Sequence, residues 1–557
     1  MEYLEELEKD LVKSKFIRKY PDNDIYKQRI EKELKIILEK KFIDYILRIC
    51  DILELIQDIP HIIRGSSGSS LICYLLGITD IDPIKNSICF SRFLNEYRNS
   101  MPDIDMDFPH NQRDKVFSRI YDKWDNVVRI SNHVLYQHKS AMRQALKELG
   151  VKGRIPKAKC NLNYWKEPEK KKELEKKFKE IKGTLRYNSL HCGGIIFITD
   201  MSVYEKHKIK DRQISFDKVD VEKEGFFKID ILSNRGLSQL FAIDSKPLLS
   251  YDFEDKKTIE LIQSGQNIGV TFAESPAMRK IIKTFKPKNV LDIAICLAAI
   301  RPGADKSEAD TIEDLSCGII FDDDAITYIQ KLLNCSEDKA DSIRRLYAKG
   351  DNVKIGQFEI ELYGENPDID INDISKKLIN LRKYSFCKSH ALSYAYLVWA
   401  LFYQKAHNPT KFWQSTIKNC HSTYRQWVQI REAVIAGVQV KGDKDLTNIE
   451  HFGIHGYWIG NDFIDNNMYV NIINDKKQTC EFRGLIASGK WYKKFNKKIK
   501  KYDTCTFITI GYKNGIYIDL IIKGWISVKN RNVCSGTGIV SITNDYACIK
   551  VNNIFYK

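Results

Sequence analysis

The chain has 557 residues, 43% of them hydrophobic and 11% aromatic, enough to build several buried cores and too many for a disordered chain. Lys and Arg number 89 against 73 Asp and Glu, and the formal charge of +16 suits a polyanionic partner, with nucleic acid leading; an AT-rich genome accounts for part of the lysine excess. Fourteen cysteines lie scattered without a CxxC or any paired metal spacing, which argues against a disulfide framework and a structural zinc site. The N-terminus is charged from its first residues and the longest apolar run, near Val290 to Ile300, is too short to span a bilayer, so a cytoplasmic protein is expected.

Residues 1–60 carry Leu, Ile and Tyr at helical spacing among Lys and Glu and predict helices. "HIIRGSSGSSLICYLLGI", His61 to Ile78, is a Gly/Ser turn running into an apolar stretch that reads as the start of a helix. Backbone N–H groups at such a start favour anions, and a triphosphate could dock there.

"MPDIDMDF" follows, with Asp103, Asp105 and Asp107 at alternate positions and Ile104, Met106 and Phe108 between them. In a strand the aspartates share one face and the apolar trio the other. Carboxylates this close repel one another, and a hard divalent cation such as Mg²⁺ relieves the repulsion. A solvated acidic edge is the alternative for any such short run.

Farther on, "WKEPEKKKELEKKFKEIKG" is charged almost all round and predicts a solvated helix, with DNA-backbone contact as a second use. "HCGGIIFITD" and "GFFKIDIL" read as strands, and alternation in the second puts Phe226, Lys228 and Asp230 on one face. Residues 250–440 are mainly helical in pattern, and the last hundred residues show short strands at regular intervals, a small all-β module. Within it, "GKWYKKFNKKIKKY" sets Trp491, Phe495, Ile499 and Tyr502 at near-helical spacing. Lys493, Lys494, Lys497 and Lys498 would then face outward toward DNA phosphates, or simply toward solvent.

A Gly-Ser turn, an Asp-x-Asp strand and a later aspartate on another strand is the order found in nucleotidyltransferases of the polymerase-beta type. More specifically, the chain resembles the catalytic core of the bacterial replicative DNA polymerase III alpha subunit, the C-family polymerases. The residues that carry the resemblance are "RGSSGS" from Arg64, "ITDIDP" from Ile78, "SRFLNEYRNSMPDIDMDF", "HCGG" from His191, "FKIDIL" from Phe227, "ESPAM" from Glu274, "RPG" from Arg301, "RRLYAKG" from Arg344 and "FCKSHALSYAY" from Phe386.

The resemblance runs from about residue 30 to about 450 and implies an α+β multidomain protein with a polymerase-beta-like nucleotidyltransferase palm. The palm would comprise 1–132 and 186–247, a helical thumb 133–185, helical fingers 248–450, and a β-rich nucleic-acid-binding module 451–557. It implies that Asp103, Asp105 and Asp230 are catalytic and hold two Mg²⁺ ions, with Mn²⁺ as a substitute, while Asp107 is the less secure acid. Arg64, Gly65, Ser66 and Lys228 would meet the incoming triphosphate, as would Arg301, Arg344, Arg345 and Lys388. His390 or Tyr394 would meet base and sugar. The alternative for each arginine is a salt bridge or a contact with the DNA backbone, and for Tyr394 a place in the core.

The chain departs from the family at Ile63, where glycine is expected, at Thr271-Phe272 in place of Phe-Gln, and in shortened fingers. No counterpart of the family's N-terminal PHP domain is expected. Gln239-Leu240-Phe241 looks like a clamp-binding peptide but sits in a predicted core helix. The expected activity is DNA-templated DNA synthesis on primer-template DNA from deoxynucleoside triphosphates, without proofreading. A viral or mobile-element origin is inferred from composition, which puts the protein in bacterial cytoplasm or an infected cell. A sliding clamp or other replisome proteins are further expected partners, and no membrane. The competing expectations are a template-independent or primase-like nucleotidyltransferase and a non-catalytic DNA-binding relative.

Overall fold

A computed structural model describes every residue except 1, 98–103, 157, 302–310, 366–370, 380–385, 420–421, 439–468, 475–477, 497–500, 513–515, 529–532, 544–545 and 557. Asp103, Lys497, Lys498 and the expected boundary near 450 fall outside the described residues. The chain divides into two compact units, one made of residues 1–98, 107–112 and 233–557, the other of 99–106 and 113–232.

A seven-stranded sheet runs in the order β1-β2-β7-β4-β3-β6-β5. Its strands are β1 (Ile62–Arg64), β2 (Ile104–Pro109), β3 (Val127–Leu135), β4 (Leu185–Phe197), β5 (Lys208–Lys210), β6 (Gln213–Ile214) and β7 (Lys228–Asn234). β2 and β7 each begin in the smaller unit and end in the larger. Within the smaller unit, β4 pairs antiparallel with both β3 and β7. Val128, Ile130, Ile196, Ile214 and Phe216 form the core on this sheet. β7 is buried along its first four residues, Lys228 and Asp230 included.

Between β3 and β4 two helices, His138–Glu148 and Pro168–Ile181, pack on a separate core. The second lies in the stretch expected to be solvated all round. It instead buries Leu174, Phe178 and Ile181, spaced i, i+4, i+7, against Met142 and Leu146 of the first. Three apolar residues in a lysine-rich segment suffice for one stripe.

In the larger unit the helix Lys388–His407 is buried along most of its length, and Leu397, Val398, Trp399, Leu401 and Phe402 are fully buried. It packs along Val290–Ala299. Four further helices, Asp322–Leu333, Glu337–Lys349, Asn352–Glu365 and Ile371–Leu378, share a cluster built on Ile326, Ile343, Tyr347 and Leu378. Gln239, fully buried, donates to the Gly269 carbonyl and to Thr416, so the clamp-like tripeptide sits in the core.

The C-terminal strands are β8 (Tyr469–Asn474), β9 (Thr479–Asn496), β10 (Lys501–Tyr512), β11 (Ile516–Lys523), β12 (Val533–Thr543) and β13 (Tyr546–Tyr556). They pair in the order β10-β11-β13-β12-β9-β8, and β10 also pairs with β9, which closes five strands into a barrel. β11 and β13 are parallel and the other pairs antiparallel, a closed Greek-key barrel of the OB type. Phe482, Ile508, Ile510, Leu520 and Ile549 fill it. Residues 489–496 and 501–502, read at near-helical spacing, lie on two antiparallel paired strands, with Phe495 opposite Tyr502 and Trp491 opposite Thr506. Positions i and i+4 share a face in a strand as well as in a helix, so Trp491 and Phe495 could not tell the two apart. Among the described residues no helix is long and apolar enough to cross a membrane.

The barrel needs glycine where β12 bends against β13. A Cβ at Gly536 would lie 2.0 Å from the Asn553 carbonyl oxygen, a backbone atom that cannot swing away. Gly536→Ala is expected to destabilise the barrel by about 1–3 kcal/mol, seen as an earlier transition in thermal unfolding.

Candidate functional site

In the smaller unit Lys228 and Asp230 share a face of β7, as alternation requires, and Lys228 Nζ lies 2.7 Å from Asp230 Oδ2. Both residues are buried, and Asp230 Oδ1 accepts no hydrogen bond. His191 Nδ1 lies 3.7 Å from Oδ1. That nitrogen accepts the backbone N–H groups of Gly193 and Gly194, at 3.2 and 2.7 Å. It therefore has no proton to offer the carboxylate.

The two glycines make this arrangement fit. A Cβ on Gly193 would lie 2.6 Å from the Ile231 carbonyl oxygen, and one on Gly194 would lie 2.8 Å from His191 Nδ1. The "HCGG" run thus lets β4 close on β7, with Gly194 opposite Asp230, while the histidine folds back over its own backbone. Nothing in the sequence alone gave His191 this task.

A buried carboxylate oxygen without a donor is costly, and a cation or an ordered water would satisfy it. Asp105, half-buried, stands on β2, the neighbour of β7 in the sheet. The donor set is hard oxygen on adjacent strands, which suits Mg²⁺ or Mn²⁺.

Asp107 serves differently. It belongs to the larger unit and is 3% exposed; Oδ1 accepts from Arg64 Nε at 3.0 Å, and Oδ2 accepts from Asn234 Nδ2 and the Tyr394 hydroxyl, both at 2.9 Å. Three donors neutralise it where it stands.

The Gly-Ser turn of the larger unit is clamped by the helix Lys388–His407. Gly65 adopts φ +89°, open to glycine and strained for other residues. Its carbonyl accepts from Ser389 Oγ at 2.8 Å and from Cys387 Sγ at 3.3 Å, and the Ile63 carbonyl accepts from Ser393 Oγ at 3.1 Å. Ser389 and Ser393, four residues apart, lie on one helix face. Gly68 allows the close approach, since a Cβ there would lie 2.8 Å from that of Ser389.

One expectation is corrected here. The helix after the turn is only Leu71–Leu75, ended by Gly77 at φ +75°, and its first amides are already occupied. Buried Glu33 accepts from Leu71 N at 2.9 Å, Ile72 N at 3.1 Å and Ser70 Oγ at 2.7 Å, and is paired with Arg29 at 2.5 Å. The anion at this helix start is internal, so a triphosphate cannot dock on those amides.

Tyr394 stacks on Phe272, centroids 4.4 Å apart at 11°, and His390 meets the Tyr394 ring edge-on at 4.8 Å. Phe386 lies 4.6 Å from His390 and carries the Arg301 guanidinium over its face at 4.3 Å. Burial, followed by the positive charges of Arg64, Arg301 and Arg92, pushes the His390 pKa down to about 3, so the ring is neutral at physiological pH. Phe272, one of the residues departing from the family pattern, holds φ +71°, an unusual conformation for an aromatic residue.

Lys388 donates its backbone N–H to Asp323 at 2.8 Å. Arg344 is buried, with Nε 2.9 Å from Asp341 and Nη1 3.5 Å from Asp322. Arg345 Nε lies 2.5 Å from the other Asp341 oxygen, and Arg92 pairs with Asp322 at 3.0 Å. For Arg344 and Arg345 the structure thus provides internal acids. Lys493 and Lys494 lie on β9, opposite Thr504 and Asp503.

One His/Asp cluster was not anticipated from sequence. His133 Nδ1 is 3.3 Å from Asp217 and its Nε2 3.5 Å from Asp220, with ligand atoms of all three within 4.8 Å of one another. Both aspartates also form the capping box of the helix Lys218–Lys223, which gives them a structural task.

The Glu33 cap generates a test. Glu33→Ala would strand Arg29 and two backbone amides in the interior, and a loss of about 3–5 kcal/mol is expected in the urea unfolding of the larger unit.

Residues 2–233 match the family model for the bacterial DNA polymerase III alpha NTPase domain, and residues 239–317 match that for the bacterial DNA polymerase III alpha subunit finger domain. The DNA polymerase III subunit alpha of Ureaplasma parvum is 27% identical, covering 96% of this chain and 59% of the relative. That of Aquifex aeolicus is 26% identical over 79% of this chain and 46% of its own length, and that of Staphylococcus aureus 28% identical over 75% and 45%. The chain therefore spans about half the length of these curated relatives. With two family models matched in the expected order on an α+β fold, the chain is related to the alpha subunits of DNA polymerase III.

Proposed function

We propose that the chain is a DNA-templated DNA polymerase that extends a primer 3′-hydroxyl with deoxynucleotides, without proofreading, from a polymerase-beta-like palm. The observation that carries this reading is the bare, buried Asp230 oxygen on β7, beside the strand that bears Asp105. Asp103, Asp105 and Asp230 would hold two Mg²⁺ ions, for which Mn²⁺ could substitute. When bound, the ions supply a lowered pKa for the primer hydroxyl and charge compensation for departing pyrophosphate.

The protein's own part is orientation and fixed charge. Lys228, held by Asp230, puts a buried positive charge beside the acids, where low dielectric strengthens its pull on a developing oxyanion. His191 keeps an unprotonated nitrogen toward Asp230, which leaves the carboxylate free of a competing donor. In the larger unit, the carbonyl clamp on Gly65 fixes the backbone of Ser66 for the triphosphate. Arg64, Arg301 and Lys388 are the cations assigned to phosphate there. The Phe272–Tyr394 stack with neutral His390 offers an uncharged wall for base and sugar. Arg344 and Arg345 hold the fingers together through Asp341, and phosphate could reach them only by breaking those pairs. The barrel is assigned to template or primer strands. Primer-template DNA and deoxynucleoside triphosphates are the substrates, and clamp or other replisome proteins the further partners.

Asp105→Asn and Asp230→Asn are each expected to abolish primer extension in Mg²⁺, Asp105→Asn with the thermal unfolding midpoint unchanged and Asp230→Asn with a lower one, because Lys228 loses its buried partner; extension at the parental rate by either would overturn the assignment. Replacing Lys493, Lys494, Lys497 and Lys498 together by Glu should weaken DNA binding and flatten the slope of log K against log salt by about 0.7 for each single-strand phosphate that is no longer neutralised. An unchanged slope would remove the barrel lysines from the DNA path.

A further inference from the structure

The two-helix insertion between β3 and β4 contains a cavity of about 550 Å³ lined by Arg143, Lys147, Arg154, Arg186, Tyr136 and neighbouring small or polar residues. No acidic side chain lines it. Arg143 and Lys147 project from one face of the helix His138–Glu148, four residues apart, a like-charge spacing that disfavours the helix. Ala141, Met142, Ala145 and Leu146 hold the opposite face in the core, so rotation cannot relieve the repulsion.

Arg154 arrives from the loop after Gly153, which adopts φ +80°. Arg186 arrives from β4, its guanidinium 5.8 Å from the centre of the Tyr136 ring. Among the described residues none of these four cations has a salt bridge. Glu148, the acid on the same helix, is engaged by Lys177 at 3.1 Å and by Gln144 at 3.0 Å. Four positive charges from three separate elements face one concavity without a counter-charge.

We propose that this cavity binds a terminal phosphate carried by a nucleotide unit. An internal phosphodiester brings a single negative charge, whereas a phosphomonoester brings nearly two at neutral pH and presents three oxygens to converging donors. Arginine forks match such oxygens in pairs, and the Tyr136 ring gives the attached base a stacking surface. The chemistry fits the 5′-phosphorylated end of a nucleic-acid strand or a free nucleoside monophosphate. The site lies entirely within the smaller unit and does not rest on the polymerase reading.

The test compares the full chain's affinity for two 3′-fluorescein-labelled single strands of one sequence, one with a 5′-phosphate and one with a 5′-hydroxyl, by fluorescence anisotropy. The phosphorylated strand is expected to bind about tenfold tighter, the effect of about 1.4 kcal/mol from charge-assisted contacts. Arg143→Gln with Arg154→Gln, both exposed positions, should abolish the preference while leaving hydroxyl-strand affinity within about twofold and the unfolding midpoint unchanged. Lys170→Gln, outside the cavity, should retain the preference. Competition by deoxyadenosine monophosphate at micromolar concentration supports the free nucleotide as occupant, and its failure to compete supports the strand end. Equal affinity of the parental chain for the two strands, or a preference that survives in the double variant, overturns the proposal.

Discussion

A carboxylate taken out of water must receive donors or a cation, and this constraint sorts the buried acids of the protein into two kinds. Glu33, Asp107 and Asp341 receive theirs from the protein: a helix start and Arg29, three donors around one strand end, and an arginine pair. These acids fasten elements together. Asp230 has one oxygen on Lys228 and one on nothing, and the histidine beside it presents a lone pair. Asp323 and Asp338 also keep one carboxylate oxygen without a hydrogen bond, and Asp230 differs from them in standing on the strand next to the one that bears Asp105.

In the larger unit the helix Lys388–His407 shapes the surface around the Gly-Ser turn. Its serines reach the carbonyls of Ile63 and Gly65 because Gly68 leaves room for close approach, and one turn on its tyrosine anchors Asp107. Hydroxyls rather than larger donors are required, since longer side chains would hold the turn away. The same helix is buried in the core along most of its length, so the clamp inherits the rigidity of that core. Phe272 adds a strained residue to this surface, at roughly 1–2 kcal/mol for left-handed backbone, offset by its stack on Tyr394.

The sequence revealed chemistry where a short pattern and a single strand period sufficed. Alternation in "GFFKIDIL" puts Lys228 and Asp230 on one face, and the structure pairs them. The regular strands near the C-terminus form a module of their own, although spacing could not show that β10 returns to β9 to close it. Partnership across distance was illegible. Glu33 lies 38 residues from the amide it caps, and nothing local marks it as the anion of that helix. Asp107 continues the ladder of Asp103 and Asp105 in sequence, yet its donors come from Arg64, Asn234 and Tyr394, so an identical residue type at an identical spacing takes a different task. His191 stood in the "HCGG" motif, but no local pattern showed what its ring does, because that depends on two backbone amides.

The positive charge divides in the same way, and burial decides the division. Arg92, Arg344 and Arg345 are matched by Asp322 and Asp341 inside the larger unit, and Lys405 is buried against the carbonyls of Gln266 and Ile268, its pKa lowered to about 8 by desolvation. Such cations contribute little field outside the protein, because nearby acids or carbonyl dipoles cancel them at short range. The net excess of +16 must therefore reside mainly in exposed side chains. Arg143, Lys147, Arg154 and Arg186 gather part of that excess in one cavity with no acid along its wall. Attraction for a polyanion is thus a property of where the unmatched cations sit, and it should weaken with ionic strength while the internal pairs persist.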